Sequence, residues 1–127
     1  MTILIADSSE NIIDRLESLL LETNPKAIIF RATSYKDARI IFKKFEPTVV
    51  LLDMNLTGNM TITFLKEIKE PVHKTCVIIL SSVMDNNIMQ LCKLHGADFF
   101  LDKYHEFEKI PDIIKTCAAN KIIQHTK

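Results

Sequence analysis

The sequence predicts an α/β protein with three layers, α/β/α, in which one parallel sheet lies between two layers of helices. Five short apolar runs alternate with five segments whose apolar residues recur at helical spacing, as in successive βαβ units. The central run, at residues 48–52, is almost entirely apolar, which is typical of a strand covered on both faces. Asp53 follows it directly and a turn at Thr57-Gly58 comes soon after, so we expect this carboxylate at the strand's carboxyl end, facing solvent.

Length and composition exclude several classes of protein. The 127 residues are enough for one domain with a core and too few for two, so we expect a single domain over residues 1–127. The formal net charge of zero does not favour nucleic acid or a membrane surface as a partner. No apolar run approaches a membrane span and no signal-peptide pattern begins the chain, so a cytoplasmic location is the default expectation. Two glycines are too few for a dinucleotide or Walker-type phosphate loop.

The elements can be placed in order from apolar spacing and from residues that begin or end helices. Strands are predicted at residues 2–6, 27–30, 48–52, 76–80 and 98–101, and the later helices at residues 61–69, after Asp85, and from about Pro111 to Gln124. Start signals are Ser8 or Ser9, Ser34, Asp85 and Pro111, and end signals are Pro25, Pro47, Pro71 and Gly96. The helix side chains expected to face inward are Ile12, Ile13, Leu16, Leu19, Leu20, Ala38, Ile41, Phe42, Phe45, Ile62, Leu65, Ile68, Ile88, Leu91, Cys92, Ile113, Ile114, Cys117, Ala118 and Ile122.

Three cysteines, Cys76, Cys92 and Cys117, form an odd set without the spacing of a disulfide framework, so we expect reduced and mostly buried thiols. The pairs His73-x-x-Cys76 and Cys92-x-x-His95 invite a zinc interpretation. Both pairs would lie near the sheet edge away from Asp53, where a strand and a helix offer poor tetrahedral geometry. Buried cysteines with exposed histidines are the simpler interpretation.

Chemically useful side chains follow four of the five predicted strands. They are Asp7, Asp53, Ser81 and Lys103, after strands one, three, four and five. Right-handed crossovers bring the carboxyl ends of parallel strands to one edge. In the flavodoxin-like order 2-1-3-4-5, strands one and three are neighbours at the switch point where ligands bind. We therefore expect Asp7 and Asp53 side by side, and two close carboxylates favour a bound cation.

The chemistry of this set points to phosphoryl transfer. Lys103 supplies one positive charge, and Mg²⁺, which prefers oxygen ligands, would supply two more. The Ser81 hydroxyl can donate to an incoming oxyanion. An acid, a lysine, a hydroxyl and a metal are together what phosphoryl transfer to a carboxylate needs. Each residue alone has a simpler interpretation: Asp7 as a loop acid, Ser81 as a helix cap and Lys103 as a solvated lysine. Their joint occurrence favours a site. No Gly-x-Ser-x-Gly elbow supports a hydrolase, and no hydroxyl-rich loop after strand one supports a flavin module.

Over essentially its whole length the sequence resembles the receiver domain of two-component response regulators, of the chemotaxis-regulator type. The resemblance rests on residues 3–7, 51–58, 77–82 and 96–103. It implies that Asp53 accepts a phosphoryl group from a histidine kinase or a His-containing phosphotransfer protein. It also implies a signalling domain that is not an enzyme, apart from self-catalysed phosphoryl transfer and dephosphorylation.

The resemblance implies a role for each matching residue. Asp7, Asp53 and the backbone carbonyl of Asn55 would bind Mg²⁺, while Ser81 and Lys103 would contact the phosphoryl group. Ser81 and Phe100 match the switch positions, where the hydroxyl moves toward the phosphoryl group and the ring turns inward. The face formed by the fourth helix, fifth strand and fifth helix then changes its affinity for a downstream protein. Because the chain ends with the fifth helix, we expect a stand-alone receiver that signals by protein contact.

Three positions depart from the family pattern. Ser8 stands where a second acid is usual, so Asp7, Asp53 and Lys103 give a formal site charge of −1 (−1 −1 +1), where the second acid would make it −2. We therefore expect weaker Mg²⁺ binding; Glu10 is more simply a solvated acid of the first helical turn. Thr57 and Tyr104 replace prolines, and a trans bond is expected after Lys103. The alternative function is a degenerate receiver that acts as an interaction module without phosphorylation.

Overall fold

Five strands form a single parallel sheet in the computed structural model, which describes the backbone of residues 1–70 and 74–125 and the side chains of residues 1–70 and 74–117. The strands are β1 (Thr2–Ala6), β2 (Ile28–Ala32), β3 (Val49–Asp53), β4 (Cys76–Ser81) and β5 (Phe99–Asp102). Their order is β2-β1-β3-β4-β5 and every neighbouring pair is parallel. The predicted flavodoxin-like fold is therefore confirmed, with β3 at the centre.

Helices cover both faces of the sheet, as predicted. They are α1 (Glu10–Thr23), α2 (Tyr35–Phe45), α3 (Met54–Thr57), α4 (Thr61–Ile68), α5 (Asn86–Leu94) and α6 (Ile110–His125). The short α3 is an addition to the prediction, so the predicted third, fourth and fifth helices are α4, α5 and α6. Two 3₁₀ turns, Gly58–Met60 and Phe107–Lys109, lead into α4 and α6.

Two apolar clusters hold the layers together, because alternate residues of each strand point to opposite faces. The cluster under α1 and α6 includes Ile3, Ile5, Ile13, Leu16, Leu20, Leu51, Ile78, Leu101, Ile110 and Ile114. The cluster under α2, α4 and α5 includes Leu4, Ala38, Phe42, Val50, Leu52, Phe64, Leu65, Ile68, Ile79, Cys92 and Phe100. Every residue of β3 is buried, which fits a central strand covered on both faces.

The predicted helix boundaries are set by specific backbone contacts. Ser9, rather than Ser8, begins α1, since its Oγ accepts a hydrogen bond from the Ile12 amide at 3.3 Å. Ser34 Oγ accepts from the Asp37 amide at 3.1 Å and begins α2. Asp85 caps α5 through the amides of its first turn. Gly96 follows α5 with φ +113°, and a Cβ there would meet Lys69 Cγ at 2.6 Å.

The inward face predicted for the fourth helix is wrong at two positions. In α5, Cys92 is buried, but Ile88 is 39 % exposed and Leu91 is 46 % exposed. The helix covers β5, a strand of four residues at the sheet edge, and it reaches the core only along a line through Met89 and Cys92. A short edge strand has room for one narrow line of contacts, so the other apolar residues of α5 remain at the surface.

The expectation of reduced cysteines is also wrong, since Cys76 and Cys117 form a disulfide with a Cα–Cα distance of 5.9 Å. Cys76 begins β4 and Cys117 lies on α6, so the fold brings together two residues that are 41 positions apart. Cys92 is a free, buried thiol. Among the side chains of residues 1–70 and 74–117, no group of three or more His, Cys, Asp or Glu could hold a metal, so the zinc interpretation finds no support there.

A few expectations fall outside the described part of the chain. They concern Pro71 and His73, and the side chains of Ala118 and Ile122. The inward position expected for Phe45 is wrong as well, since the residue is 47 % exposed, although its ring stacks on Phe30 with centroids 4.5 Å apart. Within residues 1–70 and 74–125, no helix combines the length and the hydropathy that crossing a bilayer requires.

Candidate functional site

Asp7 lies at the carboxyl end of β1, where the chain turns toward α1. Its backbone N–H donates to Ala32 O at 3.0 Å, which continues the pairing of β1 with β2. Its Oδ1 accepts a hydrogen bond from the Ser9 amide at 2.8 Å. The carboxylate is 1 % exposed, so the start of α1 and the sheet together fix its position.

Asp53 ends the central strand and caps the short α3. Its Oδ1 accepts from the Asn55 amide at 3.2 Å, which explains why a helical turn begins immediately after the strand. We expected this carboxylate to face solvent, but it is only 1 % exposed. The difference arises because Asp7, after the adjacent β1, and Lys103, after β5, lie against the carboxylate.

Lys103 brings the positive charge predicted for this edge. Its backbone N–H donates to Ser81 O at 2.8 Å, which fixes it beside the end of β4. Its Nζ lies 2.8 Å from Asp7 Oδ2 and 3.3 Å from Asp53 Oδ2, and the side chain is 6 % exposed. The structure therefore brings together Asp7, Asp53 and Lys103, with the formal charge of −1 expected from the sequence.

One lysine does not satisfy both carboxylates. Although Nζ is close to Asp7 Oδ2 and Asp53 Oδ2, neither oxygen receives an aligned hydrogen bond from a described residue. Two buried carboxylate oxygens that face one region and share a single lysine suit a hard cation such as Mg²⁺. The residues present thus fit a divalent metal, but with two acidic side chains where the family pattern has three.

Burial is the main reason that the pKa of Asp53 lies above its ordinary value of 3.8, and the negative charge of Asp7 raises it further. The charge of Lys103 opposes both effects. For Lys103, burial alone lowers the pKa, but contacts with the two carboxylates outweigh burial and the pKa is raised above 10.5. Lys103 thus stays charged at neutral pH, whereas ionised Asp53 sits in an unfavourable environment.

The turn after Lys103 is held by a residue that the sequence analysis missed. Asp102 Oδ1 accepts from the backbone amides of Tyr104 at 2.9 Å and His105 at 3.1 Å. The Asp102 amide in turn donates to Glu106 Oε1 at 3.0 Å. No cis peptide bond occurs in the described residues, as expected from Tyr104. An Asp followed by polar residues after a strand is the signal for such a turn.

Ser81 and Phe100, the predicted switch residues, lie on adjacent strands. Ser81 Oγ donates to Val83 O at 2.6 Å and accepts from the Val83 amide at 3.1 Å, so its hydroxyl is engaged with its own loop. Phe100 pairs with Ile79 in the sheet and is 7 % exposed within the apolar cluster under α5. The aromatic ring therefore already faces inward here.

The remaining positions surround the three charged side chains. Ser8 and Asn55 are exposed, next to Asp7 and Asp53 in the chain, and Asn55 Nδ2 lies 3.5 Å from Ser82 Oγ. Glu10 is exposed in the first turn of α1, as its simpler interpretation predicted. Thr57 is buried; its hydroxyl contacts Met54 O at 3.3 Å and the Thr61 hydroxyl. These contacts hold the loop where the family pattern has proline.

We predict that Asp53→Asn raises the free energy of unfolding at pH 7 by about 1–2 kcal/mol, because it removes a charge that burial and Asp7 disfavour. When the pKa of an acid is raised on folding, the free energy of unfolding of the protein falls as pH rises through the interval above 3.8, because the acid ionises less readily in the folded state. The advantage of Asp53→Asn should therefore be small near pH 4 and larger at pH 7, as measured by urea unfolding.

Lys103→Met is the matched control for this prediction. It leaves two buried carboxylates without their cation, so we expect it to lower the free energy of unfolding by about 3 kcal/mol. The electrostatic description would be contradicted if Asp53→Asn were less stable than the parent at pH 7, or if Lys103→Met were as stable as the parent.

The chain matches the family model described as "Response regulator receiver domain" over residues 3–115. No curated protein matches it in sequence. Among solved structures it resembles the signal receiver domain of a DNA-binding response regulator from Colwellia psychrerythraea 34H, with 24% identity, a TM-score of 0.86 and coverage of 94% of this chain and 98% of that chain.

Two further structures show the same fold. The N-terminal domain of an uncharacterized protein from Wolinella succinogenes has 18% identity, a TM-score of 0.82 and coverage of 98% of both chains. A response regulator from Thermotoga maritima has 17% identity, a TM-score of 0.77 and coverage of 93% of this chain and 97% of that chain. At these identities the structures establish the fold, and the family model, which spans most of the chain, establishes the family. The protein belongs to the receiver-domain family of two-component response regulators.

Proposed function

We propose that this receiver domain accepts a phosphoryl group on Asp53, with Mg²⁺, from a histidine kinase or a His-containing phosphotransfer protein. The observation that carries the proposal is the convergence of Asp7, Asp53 and Lys103 at one sheet edge, with two buried carboxylate oxygens that lack an aligned donor. Such a site is short of positive charge at the position where a phosphoryl group and its metal would enter.

Asp7, Asp53 and the backbone carbonyl of Asn55 would hold the Mg²⁺ ion. When bound, the ion would supply positive charge that offsets the charge on the phosphoryl oxygens. Ser8 offers an exposed hydroxyl where a further carboxylate would add affinity, so the ion is bound more weakly than in a site with three acids. Protonation of Asp53, whose pKa is raised, competes with the metal as pH falls.

The transfer itself needs only a few contributions from the chain. A carboxylate oxygen of Asp53 forms a bond to phosphorus as the phosphorus–nitrogen bond of the phosphohistidine donor breaks, and the imidazole keeps the electron pair of that bond. Lys103, which stays protonated, moves its charge toward the transferred oxygens. The donor approaches from the side of Ser8, Asn55 and Ser82, which are exposed around the buried carboxylate.

The hydroxyl of Ser81 couples the phosphoryl group to the surface. In this structure it donates to Val83 O, and to donate to a phosphoryl oxygen it must leave that carbonyl. Val83 begins the exposed loop that leads into α5, so the loop is released when Ser81 moves. Phe100 lies beneath α5 on the next strand, and its packing changes with the position of that helix.

The face formed by α5, β5 and α6 is the proposed contact for a downstream protein. This proposal is supported by an exposed apolar surface on α5 and in the loop before it, which a partner could cover. The surface consists of Val83, Met84, Ile88, Leu91 and Leu94. Tyr104, after β5, adds an exposed ring. This surface begins at the loop that Ser81 holds, so Ser81 connects it to the end of β4 through two hydrogen bonds with Val83.

We further propose that residues 1–127 form one receiver domain that acts in the cytoplasm through contacts with other proteins. Its chemistry is limited to self-catalysed phosphoryl transfer and loss, so it is a phosphoacceptor rather than a classical enzyme. The support is a family match that extends over residues 3–115 and a single five-stranded sheet.

Phosphoryl uptake is the direct prediction. Incubation with acetyl phosphate or phosphoramidate and Mg²⁺ should add one phosphoryl group to the intact protein, detected by mass spectrometry, because the ionised Asp53 carboxylate is the nucleophile of the proposed transfer. Asp53→Ala, as control, should add none. Absence of uptake even at high Mg²⁺ concentration would reject the proposal.

The second candidate function is a degenerate receiver that binds partners without phosphorylation. The observation favouring it is that two acids, rather than three, face the metal position, with Ser8 exposed beside them. The Ser8→Asp variant discriminates between the two functions, because it restores the third carboxylate.

We predict that Ser8→Asp binds Mg²⁺ about tenfold more tightly, equal to about 1.4 kcal/mol, since it changes the site charge from −1 to −2. Ser9→Asp is not a suitable control because Ser9 caps α1, so the exposed Glu10→Gln serves instead and should leave affinity unchanged. Equal affinities for Ser8→Asp and the native chain, measured by calorimetry, would show that Ser8 does not limit the site and would remove the reason for a degenerate function.

A further inference from the structure

We propose that Cys76 and Cys117 form a redox-responsive clamp, a reversible disulfide that a small-molecule disulfide of the glutathione type makes and the corresponding thiol breaks. Their Cα atoms are 5.9 Å apart, within the range of about 4.4–6.8 Å that a disulfide requires. The pair connects the first residue of β4 with the inner face of α6, so the clamp fastens a helix to the sheet.

The surroundings of the three cysteines determine which of them can exchange with a disulfide in solution. Cys76 is half-buried at the beginning of its strand, so an oxidant in solution can reach it. Cys117 is buried in the apolar cluster shared with Ile114, and its sulfur is bonded to that of Cys76. Cys92 lies in the cluster on the opposite face of the sheet, where burial raises its pKa and keeps it a thiol.

The exchange proceeds in two balanced steps. The Cys76 thiolate attacks one sulfur of the small disulfide, which releases one thiol and leaves a mixed disulfide on Cys76. The Cys117 thiolate then attacks the Cys76 sulfur and releases the second thiol. Two protein thiols lose two electrons in total, the small disulfide is reduced to two thiols, and the two protons pass from the cysteines to these products.

The position of the bond determines what the clamp restrains. Ile110, Ile114 and Cys117 recur along the inner face of α6, and Cys117 is the last buried position described on it. Oxidation therefore fixes α6 well beyond its first turn. On reduction, Cys117 keeps only its apolar contacts, so this position of α6 is no longer covalently fixed to the sheet.

The clamp also encloses the residues of the proposed phosphoryl switch. The 41-residue separation between its ends includes Ser81, Phe100 and Lys103, together with the whole of α5. Closing this loop reduces the conformational freedom of the segment that must rearrange. This regulatory part rests on the proposed function: oxidation should slow exchange between the two states of the α5, β5 and α6 face.

The test uses the intact chain in buffers of graded glutathione disulfide to glutathione ratio. Free thiols are counted by alkylation and mass spectrometry, and the linked peptides are identified after digestion. We expect the count to fall from three to one, with Cys76 joined to Cys117, and the melting temperature to rise by about 10 °C on oxidation. Reduction should reverse both changes.

Two matched variants serve as controls. Cys117→Ser should show no rise in melting temperature on oxidation, and Cys92→Ala should show the same rise as the parent. Any one of four results would overturn the clamp. These are three free thiols at the most oxidising ratio, a lasting mixed disulfide on Cys76, a disulfide to Cys92, and an unchanged melting temperature.

Phosphoryl uptake from acetyl phosphate is then compared between oxidised and reduced parent, with Cys117→Ser as the unclamped reference. Slower uptake in the oxidised parent alone supports the regulatory part, and equal uptake overturns it. Absence of uptake in every sample would reject the proposed function and leave the thiol and melting results as the test of the clamp.

Discussion

The burial of two carboxylates beside a single lysine is the interaction on which the rest of this site depends. Asp7 and Asp53 follow or end adjacent strands and are both almost fully buried, so their carboxylates repel one another without screening by solvent. Lys103, from the end of β5, supplies one charge for two, and one negative charge remains uncompensated. A folded protein retains such an arrangement at a cost to stability, and a cation or an anion with its metal relieves it.

In the proposed function, the sheet order connects this local imbalance to the surface that a partner would contact. β3 carries the acid, and β4 and β5 carry Ser81, Phe100 and Lys103 beside it. Since Ser81 holds the backbone of Val83, a change at Asp53 has a short route to the loop before α5. α5 packs through few side chains, so it can shift at little energetic cost. A rigid, fully buried central strand thus supports a weakly packed helix at the edge.

The sequence was sufficient to predict the fold and the meeting of Asp7, Asp53 and Lys103 at one sheet edge, because both follow from the order of the apolar runs and the residues that end them. Apolar runs that end in Asp7, Asp53 and Lys103 predict the sheet, its edge and the meeting of these residues. It was insufficient where contacts depend on distant packing. The bond from Cys76 to Cys117 joins positions without any local relation, and the exposure of Leu91 depends on how short its neighbouring strand is. The burial of Asp53 arises from side chains that close over it from other strands, which no local pattern reveals.

The pKa of Asp53, followed by carbon-detected NMR of its carboxyl group, is the direct test of this buried charge imbalance. We expect a pKa above the ordinary value of 3.8, because burial and Asp7 outweigh Lys103. We also expect saturating Mg²⁺ to move this pKa downward, since the metal would stabilise the ionised form. A pKa at or below 3.8 that Mg²⁺ does not change would show instead that Asp53 is an ordinary solvated acid.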